Sequence, residues 1–234
     1  MTATTSDNVF AHINKVVRCT QNVIMGFNHE VPMPVIAGGA IRDMVLDKTP
    51  KDYDIFFFVG SRFTDPEFYE IAEAIADNLA CFKSVEQVVL SQCYEKSSSD
   101  FDINHQGVIK VKCVDGPDID LVFTRRANAL ELMAYFDISI NRCYMTVNEE
   151  FLFSKANTLH VFDFDTVELR NADGYNLSYL SRPKTQTVVP DKVINRLYKF
   201  VAIAKENNLQ VGPILHTIVS ETEALLSHRG YINV

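Results

Sequence analysis

Tyr53 to Val59, a nearly unbroken run of apolar residues, predicts a strand covered on both faces. Such a strand needs helices above and below it, which places the chain among layered proteins that mix helix and sheet. The strand is entered through Asp52-Tyr53-Asp54. Side chains alternate along a strand, so both carboxylates point to one side and Tyr53 to the other. Two like charges at the mouth of a buried strand are costly unless something offsets them. A hard cation shared with substrate phosphates, Mg²⁺ above all, would do so. A solvated strand edge is the plainer alternative.

Around this strand the hydrophobic spacing predicts a helix over roughly 7–27, with Ser6 as its cap, and a short strand at 34–37. A second helix follows over 40–46. Asp65-Pro66-Glu67 marks another helix start, with Asp65 as cap, running to about Cys81. Strands are expected at 85–94, 107–114 and 119–124, the last two joined as a hairpin by Asp115-Gly116-Pro117-Asp118. Residues 95–100 read as a polar loop, 127–135 as a helix, and 151–169 as a small hairpin. Two helices are expected over 191–207 and 213–228, the second with Ile214, Leu215, Ile218, Val219, Leu225 and Leu226 as one apolar stripe. The order is a mixed α/β front, about 1–150, followed by a helical region, 151–234.

Composition narrows the class. The 234 residues are 47% hydrophobic and 22% charged, as in a soluble globular protein. The longest apolar runs fall far short of the ~20 residues that cross a bilayer, and the first residues resemble no secretory leader. Five scattered cysteines without a CxxC pair read as reduced thiols of a cytoplasmic protein. The six histidines show no metal-ligand spacing. A formal net charge of -8 argues against indiscriminate wrapping of nucleic acid. From Arg182 onward, though, seven Lys or Arg face four Asp or Glu, a mildly basic rear behind an acidic front.

Two further features bear on chemistry. Gly38-Gly39 follows a strand and opens a helix, where backbone N–H groups are free to meet phosphate; a tight turn alone would also explain the pair. Pro117-Asp118-Ile119-Asp120-Leu121 supplies a third carboxylate. Asp120, between two apolar residues, is the better candidate, and Asp118 has a turn role available. Three carboxylates from two neighbouring strands could hold two Mg²⁺ ions, activating an attacking hydroxyl and stabilising a leaving pyrophosphate.

The stretch Gly38-Gly39, Arg42-Asp43, Leu46, Asp52, Asp54 resembles the head-domain pattern G-G-x-x-R-D-x-x-L-G-x-x-x-x-D-x-D of the CCA-adding enzyme and bacterial poly(A) polymerase family, within the DNA polymerase β-like nucleotidyltransferases. The spacing is the same, and Asp47 stands where the family has Gly. Phe136-Asp137-Ile138-Ser139-Ile140-Asn141 resembles the family's R-R-D-F-T-I-N motif, without its leading arginines. Arg125 and Arg126 lie nearby as alternative phosphate contacts. Arg196 to Phe200 resembles the end of the helical neck, and Asp191 keeps one residue of the upstream E-D-x-x-R motif, with Ile194 in the arginine's place. The likeness covers roughly residues 31–205 and points to a short form of the kind found in bacteria and phages.

The resemblance implies an α+β fold: a polymerase β-like nucleotidyltransferase head, a mixed sheet flanked by helices, followed by a small helical neck. It implies an enzyme that moves a nucleoside monophosphate from an NTP to a hydroxyl acceptor, the favoured one being the 3′ end of tRNA or another RNA. Asp52, Asp54 and Asp120 would be the catalytic and metal-binding carboxylates, for two Mg²⁺ ions with Mn²⁺ able to substitute. Gly38, Gly39, Arg42, Asp137, Asn141, Asp191, Arg196 and Lys199 would contact the nucleotide. Plainer roles exist for some of these: Asp137 as a helix cap, Asn141 as a turn cap, Arg196 and Lys199 as exposed neck residues. Nucleotidylation of a small molecule or protein side chain is the alternative function, and a non-catalytic nucleotide- or RNA-binding module the third.

Overall fold

The computed structural model describes residues 5–91, 105–147, 159–170 and 191–228. It divides into two compact units interleaved in sequence. Residues 1–134 and 143–160 make up the first; 135–142 and 161–234 make up the second.

In the first unit, α1 (Thr5–Gly26), α2 (Gly39–Val45), α3 (Asp65–Ala80) and α4 (Ala129–Tyr135) accompany a seven-stranded sheet. Its strands are β1 (Val35–Ala37), β2 (Asp52–Phe58), β3 (Val85–Ser91), β4 (His105–Cys113), β5 (Asp118–Thr124), β6 (Cys143–Thr146) and β7 (Leu159–Val161), in the spatial order β3-β4-β5-β2-β1-β6-β7. The sheet is mixed. β2 and β5 run parallel, while β1 pairs antiparallel with both β2 and β6, and β4 with both β3 and β5. The predicted hairpin of β4 and β5 is present. Ile55, Phe57, Leu121 and Phe123 are fully buried, and the rings of Phe57 and Phe123 stack at 5.3 Å between centroids. Ile13, Val16, Val17 and Ile24 of α1 and Ile71, Ile75 and Leu79 of α3 belong to the same core. The apolar run at 55–59 is thus buried, as read from its composition.

Several local expectations are corrected. Ser6 lies inside α1 and so is not its cap. The cap of α3 is Thr64, not Asp65: Thr64 and Glu67 form a reciprocal capping box, and Asp65 occupies the first turn beside Pro66. The small hairpin does not form among the described residues, because β7 joins the large sheet, whereas β8 (Thr166–Val167) pairs in parallel with β9 (Gln210–Val211). Residues 95–100, expected as a loop, lie outside the described residues.

In the second unit α5 (Asp191–Glu206) and α6 (Pro213–His228) pack around Ile138, Ile140, Val167, Leu169, Leu197, Phe200, Leu215 and Ile218. Ile214 is 53% exposed and leaves the predicted stripe of α6. It sits in the first turn, where its neighbour Leu215 takes the inward position. The buried Glu168 carboxylate accepts hydrogen bonds from the backbone N–H groups of Ile214 and Leu215 and so caps α6. No described helix is long and apolar enough to cross a membrane.

Candidate active site

Parallel pairing of β2 with β5 sets the carboxylates side by side. Asp54 stands opposite Asp120 and Asp52 opposite Asp118, all at the N-terminal ends of two strands whose remaining residues are buried. The next strand continues the row, since β4 places Lys110 opposite Asp120. The Lys110 ammonium donates to Asp120 Oδ2 at 2.8 Å. Asp52 is exposed, whereas Asp54 and Asp120 are partly buried. Burial pushes the Asp54 carboxyl up to about 7, with the charges of Asp120 and Asp52 adding to the rise and Lys110 opposing it.

Asp118 behaves as a turn residue. Its side chain is exposed and accepts the Cys113 backbone N–H at 3.2 Å, closing the β4–β5 connection. Lys110 was not visible to sequence reasoning, though the hairpin register was the signal that could have found it. With β4 and β5 antiparallel around the 114–117 turn, a lysine at 110 falls beside Asp120.

The glycine pair has a definite conformation. Gly38 caps α2 with φ 75°, a left-handed value that favours glycine, and its N–H donates to the Cys143 carbonyl. A Cβ built on Gly39 would touch the Arg42 guanidinium at 3.6 Å, so Arg42 lies alongside the turn. Arg42 is 5% exposed and grips Asp43 Oδ1 through Nε at 2.8 Å and Nη2 at 2.6 Å. It therefore reaches any ligand at the turn only from within the protein.

The other candidates belong to the second unit. Arg196 of α5 forms an ion pair with Asp137 Oδ2, at 2.8 Å from Nε and 2.7 Å from Nη2, so these two are brought together. Its guanidinium also lies 5.8 Å from the Phe200 ring centroid. Asn141 is 8% exposed and ends a 3₁₀ turn, Ser139–Asn141. Asp137 precedes that turn but does not cap it, since Ile138 holds the cap position. Asp191 and Lys199 are exposed on α5. Ile194 is partly buried and packs against Leu225 of α6. Arg125, expected as a phosphate contact, pairs with Asp65 at 3.2 Å.

Among the described residues no three His, Cys, Asp or Glu side chains form a cage that could hold a metal by themselves. The donor set still fits Mg²⁺ in another way. This ion is bound by one or two carboxylates and completed by water and substrate phosphates. Asp54 and Asp120 supply hard oxygens in adjacent register, and a cation there would offset both the burial and the neighbouring carboxylates that raise the Asp54 pKa.

No family model matches the chain, and no curated protein matches it. Solved structures do. A tRNA-processing enzyme complex is similar over 91% of this chain and 48% of that one, at 16% identity and a TM-score of 0.51. A CCA-adding enzyme solved with ATP is similar over 94% of this chain and 43% of that one, at 14% identity and a TM-score of 0.51. The chain thus spans about half the length of the solved proteins it matches. At such identities the likeness concerns fold alone, and it bears out the α+β fold, a mixed sheet flanked by helices, that the resemblance implied.

Proposed function

We propose that the chain transfers a nucleoside monophosphate from an NTP to a hydroxyl acceptor, with the 3′ end of an RNA, tRNA foremost, as the acceptor. The observation that carries this reading is the register pairing of Asp54 with Asp120 on parallel strands, within a fold shared with CCA-adding enzymes. Asp52 and Asp54 would hold both Mg²⁺ ions, and Asp120 would join them at the ion that activates the acceptor hydroxyl. Bound there with the triphosphate, Mg²⁺ would lower the pKa of the attacking hydroxyl and offset charge on the departing pyrophosphate.

The chain's own residues have separable tasks. Gly38 and Gly39 let the triphosphate approach the backbone. Arg42 braces that turn through Asp43. Lys110 holds the Asp120 carboxylate in place through their ion pair at 2.8 Å before substrate arrives. The acceptor oxygen forms a bond to the α-phosphorus as the bond from that phosphorus to the pyrophosphate oxygen breaks. We assign a catalytic head to 1–150 and a neck-like region to 151–234. Asp137 and Asn141 fall in the first range but belong to the second compact unit. Asp137 and Asn141 are assigned to the ribose, and Asp191, Arg196 and Lys199 to the base or phosphates. Cys19, Cys81, Cys113 and Cys143 are free thiols, which suits the reducing cytoplasm where we place the activity.

The test offers labelled ATP, CTP, GTP and UTP with Mg²⁺ and total tRNA. Label in the RNA and release of pyrophosphate are expected. Label in the protein or in a small molecule would move the acceptor to the alternative class. Absence of transfer with any nucleotide, together with retained NTP binding, would leave a binding module.

A further inference from the structure

A cavity of about 630 Å³ lies between α1 and α3, away from every residue assigned above. Its polar lining comes from Asn14, Lys15, Arg18 and Asn22 of α1 and Asn78 of α3, with Phe82 as an apolar wall. Among the described residues no carboxylate lines it. That is unusual in a chain with 30 acidic and 22 basic residues, and it has a sequence basis: from Asn8 to His29 there is no Asp or Glu. Lys15, Arg18 and Asn22 follow one another at helical spacing along one face of α1. The ammonium of Lys15 sits 4.3 Å from the Phe82 ring centroid, which holds it at the wall of the cavity.

Asn14 adds an independent sign. It lines the cavity yet is only 7% exposed, and its amide Nδ2 has no hydrogen-bond partner among the described residues. A buried amide donor without an acceptor is uncommon in a folded protein and marks a place where an acceptor oxygen is wanted.

We propose that this cavity is a second ligand site that takes the phosphate and the polar, hydroxyl-bearing body of a nucleotide. Lys15 and Arg18 meet the phosphate, since paired cations on adjacent helical turns give charge-assisted bonds to its oxygens. The side-chain amides of Asn14 and Asn22 meet hydroxyls and carbonyls, and Asn78, whose Nδ2 donates to the Ala74 carbonyl at 2.8 Å, offers its Oδ1 to a hydroxyl. The volume falls within the ~300–1,000 Å³ typical of small-molecule sites. The nucleotide can be free, with a monoester phosphate, or one residue of a bound RNA strand, with a diester phosphate; both offer anionic non-bridging oxygens to Lys15 and Arg18.

The experiment measures binding by calorimetry to the full chain in EDTA, with AMP and a short oligoribonucleotide as probes. The proteins compared are the wild type, Lys15→Gln/Arg18→Gln and Asp54→Asn. Both glutamines are exposed and good helix formers, so the double variant should keep α1, which its circular dichroism checks. Expected is binding that the double variant weakens by at least about tenfold and that Asp54→Asn leaves unchanged. Binding of AMP identifies a free nucleotide as the ligand; binding of the oligonucleotide alone, with the same dependence on Lys15 and Arg18, identifies a strand. Binding of neither probe overturns the proposal, as does a loss smaller than about tenfold in the double variant or an equal loss in Asp54→Asn. The proposal stands independently of the transfer reaction, because the chelated assay does not call on the carboxylate pair.

Discussion

Removing water from around Asp54 while Asp120 and Asp52 remain beside it leaves a carboxyl that holds its proton up to about pH 7. The unfolded chain releases that proton near the ordinary aspartate value of 3.8, so between about pH 4 and 7 the folded state binds more protons than the unfolded one. Stability contributed by this group therefore falls as pH rises through that window. In the absence of metal, the urea midpoint should drop from pH 5 to pH 8, and Asp54→Asn should flatten the drop and be the more stable protein at pH 8. The gain is on the order of a few kcal/mol. A less stable Asp54→Asn at pH 8 would contradict this. The two acids of β5 should part company in turnover. Asp120→Asn is expected to reduce NMP transfer by several orders of magnitude while sparing much of the nucleotide affinity, whereas Asp118→Asn should change transfer little, because its oxygen closes a turn. Steady-state assays of the pair decide it, and the reverse ranking would hand the third carboxylate role to Asp118. The acids themselves were legible from their apolar flanks. Lys110 was not, because its place beside Asp120 depends on which residues of β4 and β5 meet.

Strand β4 passes so close to α3 that a Cβ on Gly107 would overlap the Phe68 ring, which in turn packs edge-on against Phe123 at 5.1 Å. Gly107→Ala should therefore cost ~1–3 kcal/mol through overpacking, read as a lowered Tm, and a smaller residue at 68 should recover part of the loss. A cost near zero would mean that the ring moves freely. At the other end of the chain, Glu168 accepts the N–H groups of Leu169, Ile214 and Leu215 from a buried position. Glu168→Ala leaves those donors without an acceptor and should destabilise the protein by ~1–3 kcal/mol in denaturant titration. Unchanged stability would show that water replaces the carboxylate. Helices α5 and α6 were legible from spacing, since a 3.6-residue period survives without tertiary information. The hairpin expected within 151–169 was not found among the described residues, because β7 lies beside β6 in the large sheet while β8 pairs with β9, more than forty residues on.

The candidate residues are distributed over both compact units: Gly38, Gly39, Arg42, Asp52, Asp54 and Asp120 in the first, Asp137, Asn141, Asp191, Arg196 and Lys199 in the second. Base selection in the family the chain resembles depends on an Asp and an Arg that pair with the base edge. Here Ile194, at the arginine's position, packs against Leu225, and Arg196 is engaged with Asp137. A wrong base then leaves fewer buried polar groups unpaired, each such loss being worth ~1–3 kcal/mol. We expect additions of one or a few nucleotides with weaker selectivity than a strict C-then-A order. Arg196→Ala should alter whichever preference exists. The measurement offers tRNAs ending before each of the last three positions with all four nucleotides; ordered addition of C, C and A that survives Arg196→Ala would refute the expectation.

By itself the sequence determined the buried strand at 55–59, the glycine turn before α2, the Asp52–Asp54 spacing and the helical close, because each is carried by neighbours in the chain: alternation, period and turn chemistry. Only the tertiary structure decided which acid faces which. That Asp54 meets Asp120 with Lys110 behind it, that Arg196 takes Asp137, and that Glu168 caps α6 all follow from strand register and packing between separate elements of the chain. No local pattern encodes such pairings, since a shift of one residue in register would turn the same acids to the opposite face.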